Sequence, residues 1–272
     1  MKRNRKKILL IALLIFIGWA GWQFRTADIL GAYPEPPAPE NAEKLGLEFL
    51  QKMERAYGGK DTWLNYQEGY FIQYANWYGR LRMSGWDTLP QLYSLTATLG
   101  SDDCQMELLG GFRKGLQCSI ESGQYQQTDV EPPVTSKKAD RFAEKMLFKN
   151  YWFQFPFRIG EAPFVRYWGK RKIEDLNYDL LYITWGSLKA NKTYDQYMLY
   201  LHPETHLIEH LHFTVRDRYR FLDFTAKFTD FREVDSLRLP YSQYVRMGAP
   251  WEHGVGFHEN HYEYIHFGER AQ

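Results

Sequence analysis

From Tyr70 to the C-terminal region the chain runs as short stretches in which apolar and polar residues alternate, rich in aromatic and β-branched side chains and broken by Gly, Pro, Asp and Asn. Period-two alternation commits a segment to a strand with one face buried. The pattern predicts strands at 70–78, 92–99, 178–185, 197–201, 207–215, 222–232, 241–246 and 259–267, spaced as consecutive antiparallel neighbours. Several have one wholly apolar face: Leu181, Ile183 and Trp185; Tyr197, Leu199 and Leu201; Leu207, Leu211, Phe213 and Val215, interrupted by Glu209; and Leu222, Phe224, Ala226 and Phe228. A sheet that is apolar on one side must cover that side with helices, a second sheet, a ligand or a lipid.

Helical periodicity is scarcer. Asn41 can cap a helix from residue 42 to about 57, with Leu47, Leu50, Met53 and either Ala56 or Tyr57 on one face and Gly58-Gly59 at its end. A second helix is expected over 137–150, capped by Thr135 or Ser136. Aromatic residues are 17% of the chain, which leaves two outcomes open: a curled sheet enclosing an apolar cavity, or the same rings filling it.

The N-terminal region is of another kind. Residues 8–24 carry no charge and follow five cations, Lys2, Arg3, Arg5, Lys6 and Lys7. As a helix this run spans roughly 26 Å, enough to cross a bilayer core. It exceeds the apolar core of a cleaved signal peptide, and Gly18 with Ala20 makes a mediocre cleavage site. A signal anchor over residues 1–31 is expected, with a cleaved leader as the alternative. Either way the basic flank holds the N-terminus in the cytoplasm and places the rest outside, in the periplasm or its equivalent beyond the inner membrane.

Charge divides the same way. The chain has 34 Lys and Arg against 33 Asp and Glu. Residues 1–31 hold six of the cations and one of the anions, so the leader is +5 and the remainder −4. That balance argues against nucleic acid as a partner. Residues 32–41 contain four prolines and are expected to form a stiff spacer before a single domain over 42–272.

Chemical motifs are few. His206 to His210, HLIEH, matches an inverted zinc-protease pattern, but on a strand the two histidines lie roughly 13 Å apart, too far to share an ion. The histidines at 253, 258, 261 and 266 lack zinc spacing and are expected on solvent-facing strand positions. Nucleophile-elbow, P-loop and dinucleotide signatures are lacking. No catalytic residue, metal or cofactor is expected. Cys104 and Cys118 are symmetric about Gly111, so a hairpin turning there would set them opposite one another; a disulfide and two buried thiols are the two outcomes.

Certain segments resemble the LolA, LolB and LppX-like half-barrels of lipoprotein sorting. They are MERAYGGKDTW at 53–63, YWFQFPF at 151–157, and the run YDLLYITW, YDQYMLYLHPETHLIEHLHF and FTDFREVDSLRLPYSQYV. His202 stands where that pattern commonly has Asp before the proline. The resemblance implies an α+β fold, a curved antiparallel open half-barrel wrapped over two helices, with a cavity for acyl chains.

With the leader, this reading gives a membrane-anchored, non-catalytic extracytoplasmic protein that binds a lipid, a lipoprotein acyl chain or another apolar ligand. Its candidate wall residues are Trp152, Phe155, Leu181, Ile183, Trp185, Leu199, Leu211, Phe213, Phe224 and Phe228. The rival readings are a filled barrel that serves as an interaction module for an envelope protein and, third, an envelope hydrolase.

Overall fold

The computed structural model describes residues 2–24, 26–33, 39–78, 91–111, 113–128 and 136–268. Twelve strands form one antiparallel sheet. In chain order they are β1 (Glu68–Trp77), β2 (Gln91–Thr98), β3 (Cys104–Leu108), β4 (Gln117–Glu121), β5 (Gln124–Gln127), β6 (Phe164–Ile173), β7 (Leu176–Thr184), β8 (Gln196–Leu201), β9 (Ile208–Thr214), β10 (Asp223–Val234), β11 (Leu237–Met247) and β12 (Gly256–Gly268). Their spatial order is β5-β4-β3-β2-β1-β12-β11-β10-β9-β8-β7-β6. Each strand therefore pairs with its neighbour in sequence, except that the first and last meet in the middle of the sheet, Tyr70 opposite His266. The two free edges, β5 and β6, are consecutive in the chain and are joined through helix α4 (Ser136–Arg158).

That connection carries α4 across the apolar face. Its Phe142, Met146 and Phe153 are buried in the main core with strand residues such as Phe71, Leu95, Leu199 and Phe267. The polar side of its last turns grips the turn between β2 and β3. Gln154 donates to the carbonyls of Thr98 and Ser101 and accepts from the Gly100 amide at 2.8 Å, while Arg158 reaches Asp102 at 2.7 Å. Every one of those turn groups needs a partner once the helix covers it. Helix α4 runs eight residues past the predicted end, taking in YWFQFPF. Pro156 lies in the last turn and, having no N–H, cannot make the usual bond to the Trp152 carbonyl; the helix ends two residues later.

Helix α2 (Pro39–Ala56) begins three residues before the predicted start. Proline suits a first helical position, since its missing N–H would have no partner there. The buried face is Ala42, Gly46, Leu50 and Met53, with Tyr57 just beyond the helix, whereas Leu47 points outward. A Cβ on Gly46 would sit 2.9 Å from the Arg166 Cα and the Val165 carbonyl oxygen of β6, so it is the missing side chain at 46 that sets which face packs. The Gly59 amide closes the helix on the Glu54 carbonyl at 2.8 Å, with Gly58 and Gly59 both at positive φ. A short helix, α3 (Lys60–Asn65), follows and buries Trp63. A one-turn helix, α5 (Arg216–Tyr219), stands between β9 and β10, in the connection between the strands predicted at 207–215 and 222–232.

Helix α1 (Lys2–Phe24) precedes all of this. Its uncharged part is 17 residues, and among the described residues no helix is long and apolar enough to cross a membrane. Just after it, Ala27, Ile29 and Tyr33 are buried against the outer face of the sheet, among Trp168, Tyr178, Leu180, Tyr182, Met198 and Tyr200. The Ala27 amide donates to the Arg220 carbonyl at 2.7 Å, the Ile29 amide to Gln196 Oε1 at 3.2 Å, and Arg171 to the Ala32 carbonyl at 2.9 Å. The expected spacer thus starts late: Ala32 and Tyr33 belong to a docked segment, and residues 34–38 lie outside the described ones.

Cys104 and Cys118 are both free and buried. The register pairs Cys104 with Ile120 and Cys118 with Met106, so the thiols are diagonal rather than opposed. Diagonal neighbours are roughly 7–8 Å apart, beyond the usual reach of a disulfide.

Candidate functional site

Between α4 and the concave face lies a cavity of about 470 Å³, within the size range of small-ligand pockets. Trp77 of β1, Phe213 of β9, Phe224 of β10, Val245 of β11, and Phe257 and His258 of β12 supply its sheet wall. Phe148, Lys149, Tyr151 and Trp152 of α4 supply the opposite wall. Val215, Asp217 and Tyr219 close one end, where Asp217 is exposed. The aromatic wall is held by ring contacts. Trp152 meets Phe213 edge-on at 5.1 Å, Phe224 meets Phe257 at 4.8 Å, and Trp77 stacks on His258 at 4.5 Å.

Two bulges decide which β12 residues face inward. Val245 pairs with His258 and Arg246 with Gly256, which leaves Phe257 as an extra residue and turns both Phe257 and His258 toward the core. Ile72 pairs with Tyr264 and Gln73 with Tyr262, so the inward set passes from Asn260 and Tyr262 to Ile265 and Phe267. His258 is accordingly buried, against the solvent-facing position expected for it. His253, His261 and His266 are exposed as expected. His206 sits in a turn at positive φ, before β9 begins, and so does not share a strand with His210. Among the described residues no group of three or more potential metal ligands occurs.

The floor of the cavity is polar. Lys149 is only 4% exposed, and its ammonium donates to Asn260 Oδ1 at 2.7 Å and Gln73 Oε1 at 3.1 Å. Both are neutral amides, themselves held by Gln243 and Tyr93. Burial pushes the Lys149 amine down to about 7. Burial, with the Lys149 charge second, holds His258 well below the usual histidine range, so its ring is neutral. Asp195, at the other wall, is raised to about 6 by burial, although it accepts from Thr214 Oγ1 at 3.0 Å and the Arg216 amide at 2.8 Å.

The ten wall candidates divide three ways. Trp152, Phe213 and Phe224 line this cavity. Phe155 and Phe228 border, with Trp152, a separate gap of about 20 Å³, too small for a lipid chain. Leu181, Ile183, Leu199 and Leu211 are fully buried in the core, and Trp185 packs against it beside Tyr151 and Tyr197. The sequence reading passed over Trp77, Tyr219, Val245, Phe257, Lys149 and His258. Trp77 lay within a predicted strand, and its alternation with Phe71, Gln73 and Ala75 could have placed it inside.

The architecture is that of a LolA-like half-barrel: an open antiparallel meander curled over an internal helix. A LolA superfamily protein from Nitrosomonas europaea superposes with a TM-score of 0.51 at 10% identity, covering 84% of this chain and 94% of that one. An outer membrane lipoprotein-sorting protein domain from Vibrio parahaemolyticus gives 0.49 at 10% identity, covering 85% and 95%. No protein-family model matches the chain, and no curated protein matches it.

Proposed function

We propose that this chain is a membrane-tethered extracytoplasmic binding protein whose half-barrel domain holds the acyl chain of a lipid or lipoprotein, without catalysis. The observation that carries the reading is the cavity of about 470 Å³ between α4 and the sheet, walled mainly by aromatic rings. Burying an acyl chain against such a wall is worth roughly 25 cal/mol per Å² of apolar surface removed from water. That cavity weighs against a filled barrel.

The tether is α1. Along it Ile8, Leu10, Ile11, Leu14, Ile15 and Ile17 are all more than half exposed, an arrangement suited to lipid rather than water. The cations of its first turns, from Lys2 to Lys7, would orient the N-terminus to the cytoplasm and leave the domain outside the inner membrane. Other proteins of the envelope are its natural donors or acceptors of ligand.

The test is native mass spectrometry of the full chain released from membranes in mild detergent, followed by organic extraction. Co-purifying lipid that is lost when the cavity is filled by Val215→Trp is the expected result. A chain that emerges free of lipid and takes none up sinks the reading.

A further inference from the structure

We propose that the cavity takes a single-chain fatty carboxylate head first, its carboxylate seated against Lys149 and its hydrocarbon chain lying along the aromatic wall. The inference rests on the apolar-ligand reading above and adds to it the chemistry and orientation of the ligand.

The first ground is unmatched polarity. A lysine ammonium has three donors, and Lys149 uses two of them, on Asn260 and Gln73. Among the described residues no carboxylate pairs with it, so the buried ammonium is met by two neutral amides and, at 5.7 Å, the face of the Tyr93 ring. Leaving a charge without a counter-ion in such a place is costly. Two residues of the cavity wall each hold a buried polar atom without a hydrogen-bond partner: the indole Nε1 of Trp77 and Nδ1 of His258.

The second ground is their order along the barrel. Trp77 pairs in register with His258, Ala75 with Asn260 and Gln73 with Tyr262. Lys149 therefore reaches into the layers immediately inside the one that holds Trp77 and His258. A donor and a cation in successive layers match the two oxygens of one carboxylate. The acidic residues of the cavity stand elsewhere. Asp195 is engaged by Thr214 and the Arg216 amide, Asp217 is exposed at the end of the cavity, and Glu144 is exposed on α4, five residues before Lys149.

The third ground separates ligand classes. A small free anion would leave the aromatic wall unused, and a neutral lipid would leave Lys149 unmatched. A phosphate head would find only lysines, Lys149 and Lys145, since no arginine lines the cavity among the described residues, and so would lack the planar guanidinium that holds phosphate bidentately.

The experiment uses the full chain, stripped of bound lipid and then reconstituted in nanodiscs, with empty nanodiscs subtracted. Equilibrium binding of tritiated palmitate and tritiated hexadecanol is compared for the wild type and Lys149→Met. The wild type is expected to prefer palmitate by about tenfold or more, the size of one charge-assisted hydrogen bond. Lys149→Met should bring that ratio near one by weakening palmitate, and hexadecanol binding that persists shows that the variant is folded. Acetate at the same concentration should not compete. Equal binding of the two ligands by the wild type, a preference that survives Lys149→Met, or competition by acetate equal to that by palmitate would each overturn the proposal while leaving the apolar-ligand reading intact. Binding of neither ligand overturns both.

Discussion

The hydroxyl of Tyr33 lies 2.7 Å from Nδ1 of His212. The other nitrogen of that ring lies 2.7 Å from Asp223, and the Tyr200 hydroxyl donates to Tyr33 at 2.9 Å. The segment that follows α1 is thus pinned to β8, β9 and β10 on the outer face, far in sequence from its partners. Tyr33→Phe should lower stability by about 1 kcal/mol, and His212→Ala by more, since it strands Tyr33 and Asp223 together. Urea denaturation of the two variants checks the order. Deleting residues 1–33 should cost more than either, by baring Trp168, Tyr182 and Tyr200.

Lys149 makes stability depend on pH. Its amine titrates near 7 in the folded chain and near 10.4 when unfolded. Between those values the unfolded state binds more protons, so stability rises with pH through that window; below about 7 the full cost of the buried charge is present. From pH 7 to 8, where unfolded thiols are still mostly protonated, the gain should be about 1 kcal/mol. Lys149→Met should abolish the slope. A ligand-free wild type whose urea midpoint stays flat over this range refutes the account.

Filling the cavity should separate binding from folding. Val215→Trp places an indole in space now empty, and is expected to abolish uptake of a neutral apolar fluorescent probe while leaving the melting temperature within a few degrees of wild type. Val215→Ala is the control and should keep probe binding.

The cysteines should be found reduced even after passage through an oxidising compartment. Denaturation without reductant is expected to release two reactive thiols per chain. In the native state both should react slowly, because burial raises the thiol of Cys104 to about 12 and that of Cys118 also upward.

Gly46→Ala should destabilise the domain by about 1–3 kcal/mol through overpacking. The atoms it meets are backbone of Val165 and Arg166, which cannot swing aside. Gly31→Ala, with open space around it, serves as the comparison in thermal melts.

Much of the barrel was legible because its strands obey a simple period. The eight predicted strands all occur, several with shifted ends. Strands β3 and β4 entered only as the hairpin about Gly111, with a shifted register, and β5 and β6 were missed because they are short or heavily polar: Gln124–Gln127 has no apolar face, and Phe164–Ile173 is interrupted where Tyr167 pairs with Leu181 and Gly169 with Leu180, leaving Trp168 extra. The site was harder to read for the same cause. A bulge transfers a side chain to the other face without altering composition, so His258 looked like a surface histidine. The wall candidates were chosen as the most apolar strand positions, and such residues mostly fill the core. Lys149 falls within the helix predicted over 137–150, but nothing local records that Gln73 and Asn260 converge on it.

The hydrogen bond from Ala27 to Arg220 fixes the reach of the molecule. Only Arg25 and Thr26 separate the end of α1 from that anchor point, a stretch that extends to roughly 10 Å at most. Arg220 adjoins α5, and Tyr219 of α5 borders the cavity. With α1 in a bilayer, the binding chamber would be held like a dock at the membrane surface, and exchange of ligand with distant sites would require a second carrier to come to it.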